Sequence, residues 1–246
     1  MMKAIGIIGY KKSGKTTLLL KLAEELTNKG YQVAAIKHIS GDIDDEVDSD
    51  TTKYKKYLSQ VAAISTKESV IYWKRESNLE EILKFLEADI VLIEGFKKEK
   101  TFPKIVCLRK ESEKTELFDG LQLGTAAIFS PNINCNFSTF NILKIEDIKK
   151  MTDLVIEKSF KLPNLNCGAC GYQDCFGLAQ EIVKGNRTID DCPSLEPSTL
   201  VKVNGKIISM NPFIAKIAKN TIIGLLSTLK GFTKGNIEIK IKQKLK

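Results

Sequence analysis

The chain has 246 residues, of which 43% are hydrophobic and 28% charged, with a formal net charge of +8. That length supports one substantial core plus a small appended module, and the composition excludes a disordered or fibrous chain. No run approaches the roughly 18 apolar residues that span a bilayer, so no membrane segment is expected.

The charge is uneven. From Val201 to Lys246 ten lysines face one acid, Glu238, which leaves the first two hundred residues close to neutral. Lysines interspersed among apolar residues read as the solvated faces of a small sheet and helix, so nucleic acid is not an expected partner. The N-terminal apolar stretch runs straight into a glycine-rich loop with no small-residue cleavage site. No signal peptide is therefore expected, and the expected compartment is the cytoplasm.

Ala4-Ile5-Gly6-Ile7-Ile8 is expected to form a buried strand, and Leu18, Leu19, Leu22 and Leu26 recur at helical spacing. Between them lies Gly9-Tyr10-Lys11-Lys12-Ser13-Gly14-Lys15-Thr16-Thr17. Strand, Gly-x4-Gly-Lys-Thr loop and helix in that order form a phosphate-binding loop. Its backbone N–H groups and the positive helix end face the polyphosphate, Lys15 reaches the phosphates and the Thr16 hydroxyl reaches Mg2+. Gly9, Lys11, Lys12, Ser13, Gly14, Lys15, Thr16 and Thr17 are the candidate nucleotide-binding residues.

Val33 to Ile36 reads as a second buried strand, ending at Lys37 and the single histidine, His38. Beyond it, Asp42 to Asp50 carries six acids in nine residues. Such a run is normally a solvated loop, but it leaves a strand end beside a site that needs Mg2+, where one or two acids can reach the metal. Strands at Val61 to Ser65 and Val70 to Trp73 and a helix containing Leu79, Ile82, Leu83 and Leu86 come next. Asp89-Ile90-Val91-Leu92-Ile93-Glu94-Gly95-Phe96 then has the form of a Walker B strand. If it runs parallel to the first strand, Glu94 emerges at the sheet edge that carries Lys15, and Asp89 lies at the far edge. Strand patterns at Lys104 to Leu108, Ala126 to Phe129 and Asn141 to Ile145 complete a mainly parallel sheet. A helix from Glu146 to about Lys158, with Ile148, Met151, Leu154 and Val155 inward, closes the domain. The expected class is α/β, a P-loop NTPase with helices flanking the sheet.

In order and spacing, Gly9 to Thr17, Ile36-Lys37-His38, the following aspartates, Val91 to Lys97, Pro103 to Val106 and Ile145 to Ile148 resemble the MobB family. Those are GTP-binding proteins of molybdopterin guanine dinucleotide biosynthesis, and the resemblance covers residues 2 to 158. It implies that Lys15 and Thr16 bind phosphate and magnesium and that Glu94 acts near the metal or the attacking water. His38, Asp42 and Asp44 would line the site, the two aspartates toward magnesium. No Asn-Lys-x-Asp element occurs, so GTP is implied by the resemblance alone. Tyr10 stands where related dimeric ATPases place a signature lysine.

Of six cysteines, Cys107 and Cys135 stand alone, while Cys167, Cys170, Cys175 and Cys192 form a C-x2-C-x4-C-x16-C pattern. That clustering suggests a metal site in a reducing compartment instead of a disulfide framework. Four thiolates suit tetrahedral zinc or a [4Fe-4S] cluster, and ligand count alone does not choose. Phe176, Leu178, Ala179, Ile182 and Val183 at helical spacing can cover a cluster from water. The stretch resembles the four-cysteine iron-sulfur domain of corrinoid iron-sulfur proteins, which implies [4Fe-4S]. After Pro193 and Pro197, a Val201 to Ile208 hairpin turning at Asn204-Gly205 is expected. A helix capped by Asn211 and started by Pro212 should follow, with a last strand through Ile237, Ile239 and Ile241. The expected division is residues 1–158 for nucleotide, 159–197 for the cluster and 198–246 for a small basic segment.

The resemblance implies a GTPase that assists guanylylation of molybdopterin in molybdenum or tungsten cofactor biosynthesis. Its partner would be a molybdopterin nucleotidyltransferase, and a homodimer is left open. Hydrolysis by the protein alone should be slow, since the sequence shows no evident arginine finger. Two other readings stay open, a nucleotide-gated electron-transfer protein and a non-enzymatic scaffold or metallochaperone.

Overall fold

The computed structural model describes residues 2–39, 41, 50–128, 137–195, 199, 201–203, 206–208, 210, 212–233, 235 and 237–241. Asp42, Asp44 and the rest of the acidic run up to Ser49 lie outside the described residues. So do Phe129, Cys135, Pro197, the Asn204-Gly205 turn and Asn211.

In chain order the first elements are β1 (Lys3–Gly9), α1 (Lys15–Asn28), β2 (Val33–Lys37), α2 (Asp50–Tyr57), β3 (Gln60–Ile64), β4 (Ser69–Trp73), α3 (Leu79–Leu83) and β5 (Ile90–Glu94). They are followed by β6 (Lys104–Cys107), α4 (Lys114–Leu117), β7 (Gln122–Ala127), β8 (Thr139–Asn141) and α5 (Ile145–Lys158). The last are α6 (Cys175–Lys184), β9 (Val201–Val203), β10 (Lys206–Ile208) and α7 (Pro212–Leu226). The chain divides into two compact units, Met1–Lys161 and Leu162–Lys246.

The first unit is built on a six-stranded sheet in the order β2-β5-β1-β6-β7-β8. Every neighbouring pair is parallel. Parallel strands need helices on both faces, which is why the interiors of β1 and β5 are apolar runs instead of alternating with polar residues. On one face Ile5 and Ile7 pack with Leu18, Leu22 and Leu26 of α1 and Ile148, Met151 and Val155 of α5. On the other, Ala4, Val91 and Ile93 meet Leu79, Leu83 and Phe102, and Ile8 meets Val106 and Leu117. Each fully buried Leu or Ile contributes about 1.5–3 kcal/mol, so two full layers hold β1 in place. The β3–β4 pair is a separate antiparallel ribbon.

Several elements of this unit differ from the sequence pattern, and the strand read from Ala126 starts earlier, running Gln122–Ala127. The last sheet strand is Thr139–Asn141, not Asn141 to Ile145. Ile142 leaves the strand yet is fully buried in the core, while Ile145 is half-exposed and opens α5. The helix around Leu79 is one short turn that continues in i→i−3 bonds, Phe85 to Ile82 and Leu86 to Leu83. The α2 helix begins at the last acid of a run that reads as loop.

In the second unit, β9 and β10 pair antiparallel as expected. Residues 237–241 form no regular strand, and Ile237, Ile239 and Ile241 are exposed. Alternation makes a strand only where a partner accepts its backbone hydrogen bonds. Several apolar residues of α7 are likewise exposed, Phe213 at 69% and Leu225 at 70%, while Ile222, Ile223 and Leu226 are half-buried. Among the described residues no helix is long and apolar enough to cross a membrane.

Candidate functional site

In a parallel sheet, ligands collect where the strand ends splay at a change of strand order. That point lies at the carboxyl end of β1, between β5 and β6, and the phosphate loop leaves from it. Gly9 closes against Cys107, since a Cβ there would stand 2.5 Å from both the Cys107 carbonyl oxygen and Ser13 Oγ. Gly14 is left-handed and opens α1, whose first turn contains no acid to compete for its unsatisfied N–H groups. The Lys15 ammonium donates to the Tyr10 carbonyl at 2.7 Å. Ser13 is 2% exposed, and among the described residues its buried hydroxyl has no hydrogen-bond partner. An orphaned buried hydroxyl beside a helix N-terminus is the fit expected of a loop that closes on phosphate oxygens. Lys11 and Lys12 are exposed on the outer turn, and Thr16 and Thr17 on the first turn of α1.

β5 lies beside β1 with Glu94 level with Ile7. The Thr16 hydroxyl donates to Glu94 Oε2 at 3.0 Å, and Glu94 is 8% exposed. Two hard oxygen donors thus meet next to Lys15, the chemistry that suits Mg2+. Asp89 stands at the opposite end of the same strand, accepting from the Gln32 N–H. His38 follows β2, its N–H donating to the Glu94 carbonyl at 2.9 Å. Its ring leans on Phe96 at 4.7 Å between centroids, and a Cβ on Gly95 would come within 2.9 Å of the His38 Cβ. His38 therefore shapes the turn after Glu94.

Residues that the sequence pattern did not mark as site candidates complete this edge. Tyr10 is a hub, its hydroxyl donating to Glu116. The Lys97 ammonium sits 4.0 Å from the ring centroid, and the Arg109 guanidinium 5.2 Å from it. Arg109 also donates to the Lys11 carbonyl at 3.3 Å and is bound to Glu113 through Nε at 2.7 Å. Beneath the 95–100 turn, Lys104 is fully buried, donating to the Lys97 carbonyl at 3.0 Å and to Asp119 at 2.5 Å.

In the second unit all four cysteines of the C-x2-C-x4-C-x16-C pattern line one cavity, together with Pro163, Leu165 and Leu178. Left-handed turns at Asn166, Gly168 and Gly171 wrap the chain around it. Cys175 opens α6, and its sulfur accepts from the Asn166 N–H at 3.4 Å. Asn166 Oδ1 in turn accepts from the Cys175 N–H at 2.9 Å, and Asp174 caps the helix through the Gly177 N–H. Cys167 Sγ lies 3.2 Å from Ser194 Oγ. Burial pushes the Cys192 thiol up, the Ser194 backbone hydrogen bond pulls it down, and the nearby Cys175, Cys170 and Cys167 push it up further. Mutual repulsion of that kind is relieved when cations hold the four sulfurs deprotonated. Among the described residues no three His, Cys, Asp or Glu side chains are grouped as ligands of a single metal ion.

A parallel sheet with a Gly-x4-Gly-Lys-Thr loop at the tip of a central strand, and a buried acid on the neighbouring strand tip facing that loop, defines a P-loop NTPase fold. Within that class the chain belongs to the MobB family: the model for "Molybdopterin guanine dinucleotide synthesis protein B" matches residues 4–130. A second model, described as "Putative Fe-S cluster", matches residues 162–194 and so includes all four clustered cysteines. The "Putative molybdopterin-guanine dinucleotide biosynthesis adapter protein" of Methanocaldococcus jannaschii is 35% identical over 237 residues, covering 94% of this chain and 93% of the relative. The "Probable molybdopterin-guanine dinucleotide biosynthesis adapter protein" of Bacillus subtilis is 32% identical over 120 residues, covering 46% of this chain and 67% of the relative. The crystal structure of Bacillus subtilis MobB superposes with a TM-score of 0.54 at 19% identity, covering 62% of this chain and 98% of that one. This last likeness speaks for the fold.

Proposed function

We propose that the protein binds Mg-GTP and assists a nucleotidyltransferase that attaches GMP to molybdopterin, in the maturation of a molybdenum or tungsten cofactor. The contact between Thr16 and Glu94 beside Lys15 carries the nucleotide part of this reading. It joins the two strand-end elements that a magnesium nucleotide requires. The guanine base and the transferase partner are supported by family membership and by the names of the relatives.

When bound, the magnesium ion supplies charge that neutralises the polyphosphate. Thr16 and Glu94 would hold it, and Lys15 would exchange the Tyr10 carbonyl for phosphate oxygen. The buried Glu94 carboxylate would also orient water at the phosphorus. Arg109 is already committed to Glu113 and to the loop backbone, so it stiffens the loop instead of acting as a free arginine finger. Slow turnover follows unless a partner contributes a cation. Phosphate release from Mg-GTP should therefore be slow with the protein alone and rise when a molybdopterin nucleotidyltransferase is added. A rate unchanged by the transferase would sink the assisting role.

The cysteine cavity is proposed as a [4Fe-4S] site held by Cys167, Cys170, Cys175 and Cys192. The four cysteines line one cavity, and the iron-sulfur family match supports a cluster over a single tetrahedral ion. Anaerobically purified protein should contain about four irons and four sulfides per chain, and Cys175→Ser should lose most of both. Stoichiometric zinc without sulfide would overturn the assignment.

A further inference from the structure

Three cations meet beside residues 10 and 11 of the phosphate loop, and two of them come from outside it. Lys15 bonds the Tyr10 carbonyl, Lys97 covers the Tyr10 ring, and Arg109 flanks the same ring while bonding the Lys11 carbonyl. Among the described residues, the carboxylates at this edge are engaged elsewhere. Glu113 takes Arg109, Glu116 takes the Tyr10 hydroxyl and Glu94 takes the Thr16 hydroxyl. Among the described residues Lys97 has no ion pair, and its ammonium rests on a ring face. A cation held that way is bound more weakly than one hydrogen-bonded to an anion. Burial lowers the Lys97 ammonium below its usual value, Lys15 lowers it further, Glu113 opposes this and Arg109 adds to it. An arriving anion would relieve that repulsion.

The position of Lys97 is built into the backbone. Gly95 and Phe96 are both left-handed, at φ +94° and +49°, an unusual conformation for a bulky aromatic residue. His38 packs against this pair, and the buried Lys104 pins the Lys97 carbonyl. The turn thereby sends the Lys97 side chain back over the loop. Lys97 also leaves the strand end that carries Glu94, which faces the Thr16 hydroxyl. Lys15 and the Thr16 hydroxyl are the loop groups that would hold the outer phosphates and their Mg2+, so this edge would receive the terminal-phosphate end of the nucleotide.

We propose that Lys97 binds the terminal phosphate of the nucleotide and sets the preference for triphosphate over diphosphate. The proposal rests on the nucleotide reading given above. Calorimetric titration of the full-length protein with a non-hydrolysable GTP analogue and with GDP, both with Mg2+, tests it in wild type, Lys97→Met and Lys97→Arg. Loss of one charge-assisted contact corresponds to about tenfold or more. Lys97→Met should weaken the triphosphate analogue by that factor and leave GDP within about twofold, with Lys97→Arg retaining most of the preference. An equal loss for both ligands, or no loss for either, overturns the role of Lys97 while leaving nucleotide binding intact. A wild-type protein that binds neither ligand overturns both readings together.

Discussion

Lys15→Ala is expected to weaken Mg-GTP binding by about 100-fold, the value of a charge-assisted hydrogen bond at a site partly shielded from water. In the structure the recorded hydrogen bond of Lys15 is to the Tyr10 carbonyl of its own loop. Removing the side chain should therefore leave the fold intact, with a thermal midpoint within a few degrees of wild type. Calorimetry of both proteins at equal ionic strength measures the affinity ratio, and wild-type affinity in the variant would end the assignment of this loop to phosphate.

Asp119→Ala should destabilise the first unit by about 3–5 kcal/mol, because it leaves the ammonium of Lys104 buried without its anion. Lys104 is fully buried, and Asp119 accepts from it at 2.5 Å and from Lys100 at 2.8 Å. Urea unfolding measures the loss, and the double variant Asp119→Ala/Lys104→Met should recover much of it, since removing both charges removes the desolvation penalty. A double variant as unstable as the single one would show that the pair is not the cause. Burial alone would push the Asp119 carboxyl up, but the bonds from Lys100 and Lys104 hold it below the usual carboxylate range. A folded-state value below the unfolded one, about 3.9, gives stability that is complete above that pH and disappears as pH falls through the folded value. The gap between wild type and variant should therefore narrow below about pH 4.

β1, the loop and the Glu94 strand were legible because burial on both faces makes β1 and β5 unbroken apolar runs ending at chemically marked residues. The parallel arrangement of β1 and β5 is what separates Glu94 from Asp89, and it needed only the polarity of the two strands. β7 was partly hidden by Gly124 and Thr125, which are poor strand signals alone. A Cβ on Gly124 would meet Phe140 at 3.0 Å, so close packing against β8 decides that position. The edge strand β8 buries only Phe140 among its three residues, too little for a period to show. Tyr10, Lys97 and Arg109 meet through the tertiary fold, from segments separated by about 90 residues, and no local spacing announces them. The four cysteines were the opposite case. Their spacing is itself the signal, and the turns at Asn166, Gly168 and Gly171 follow from the need to bring them around one cavity.

The strand order also dictates when the nucleotide site can exist during synthesis. β1 carries the loop, but its neighbours in the sheet are β5 and β6, and β2 lies outside β5. Roughly 80 residues must follow the loop before either neighbour is available, which takes about 4–16 s at ordinary elongation rates. Until then β1 has two open edges and no partner, and Glu94 is absent. A nascent chain arrested before β5 thus contains the complete phosphate-loop sequence without its Glu94 side, and Ile5, Ile7 and Ile8 have as yet no sheet neighbours to bury them.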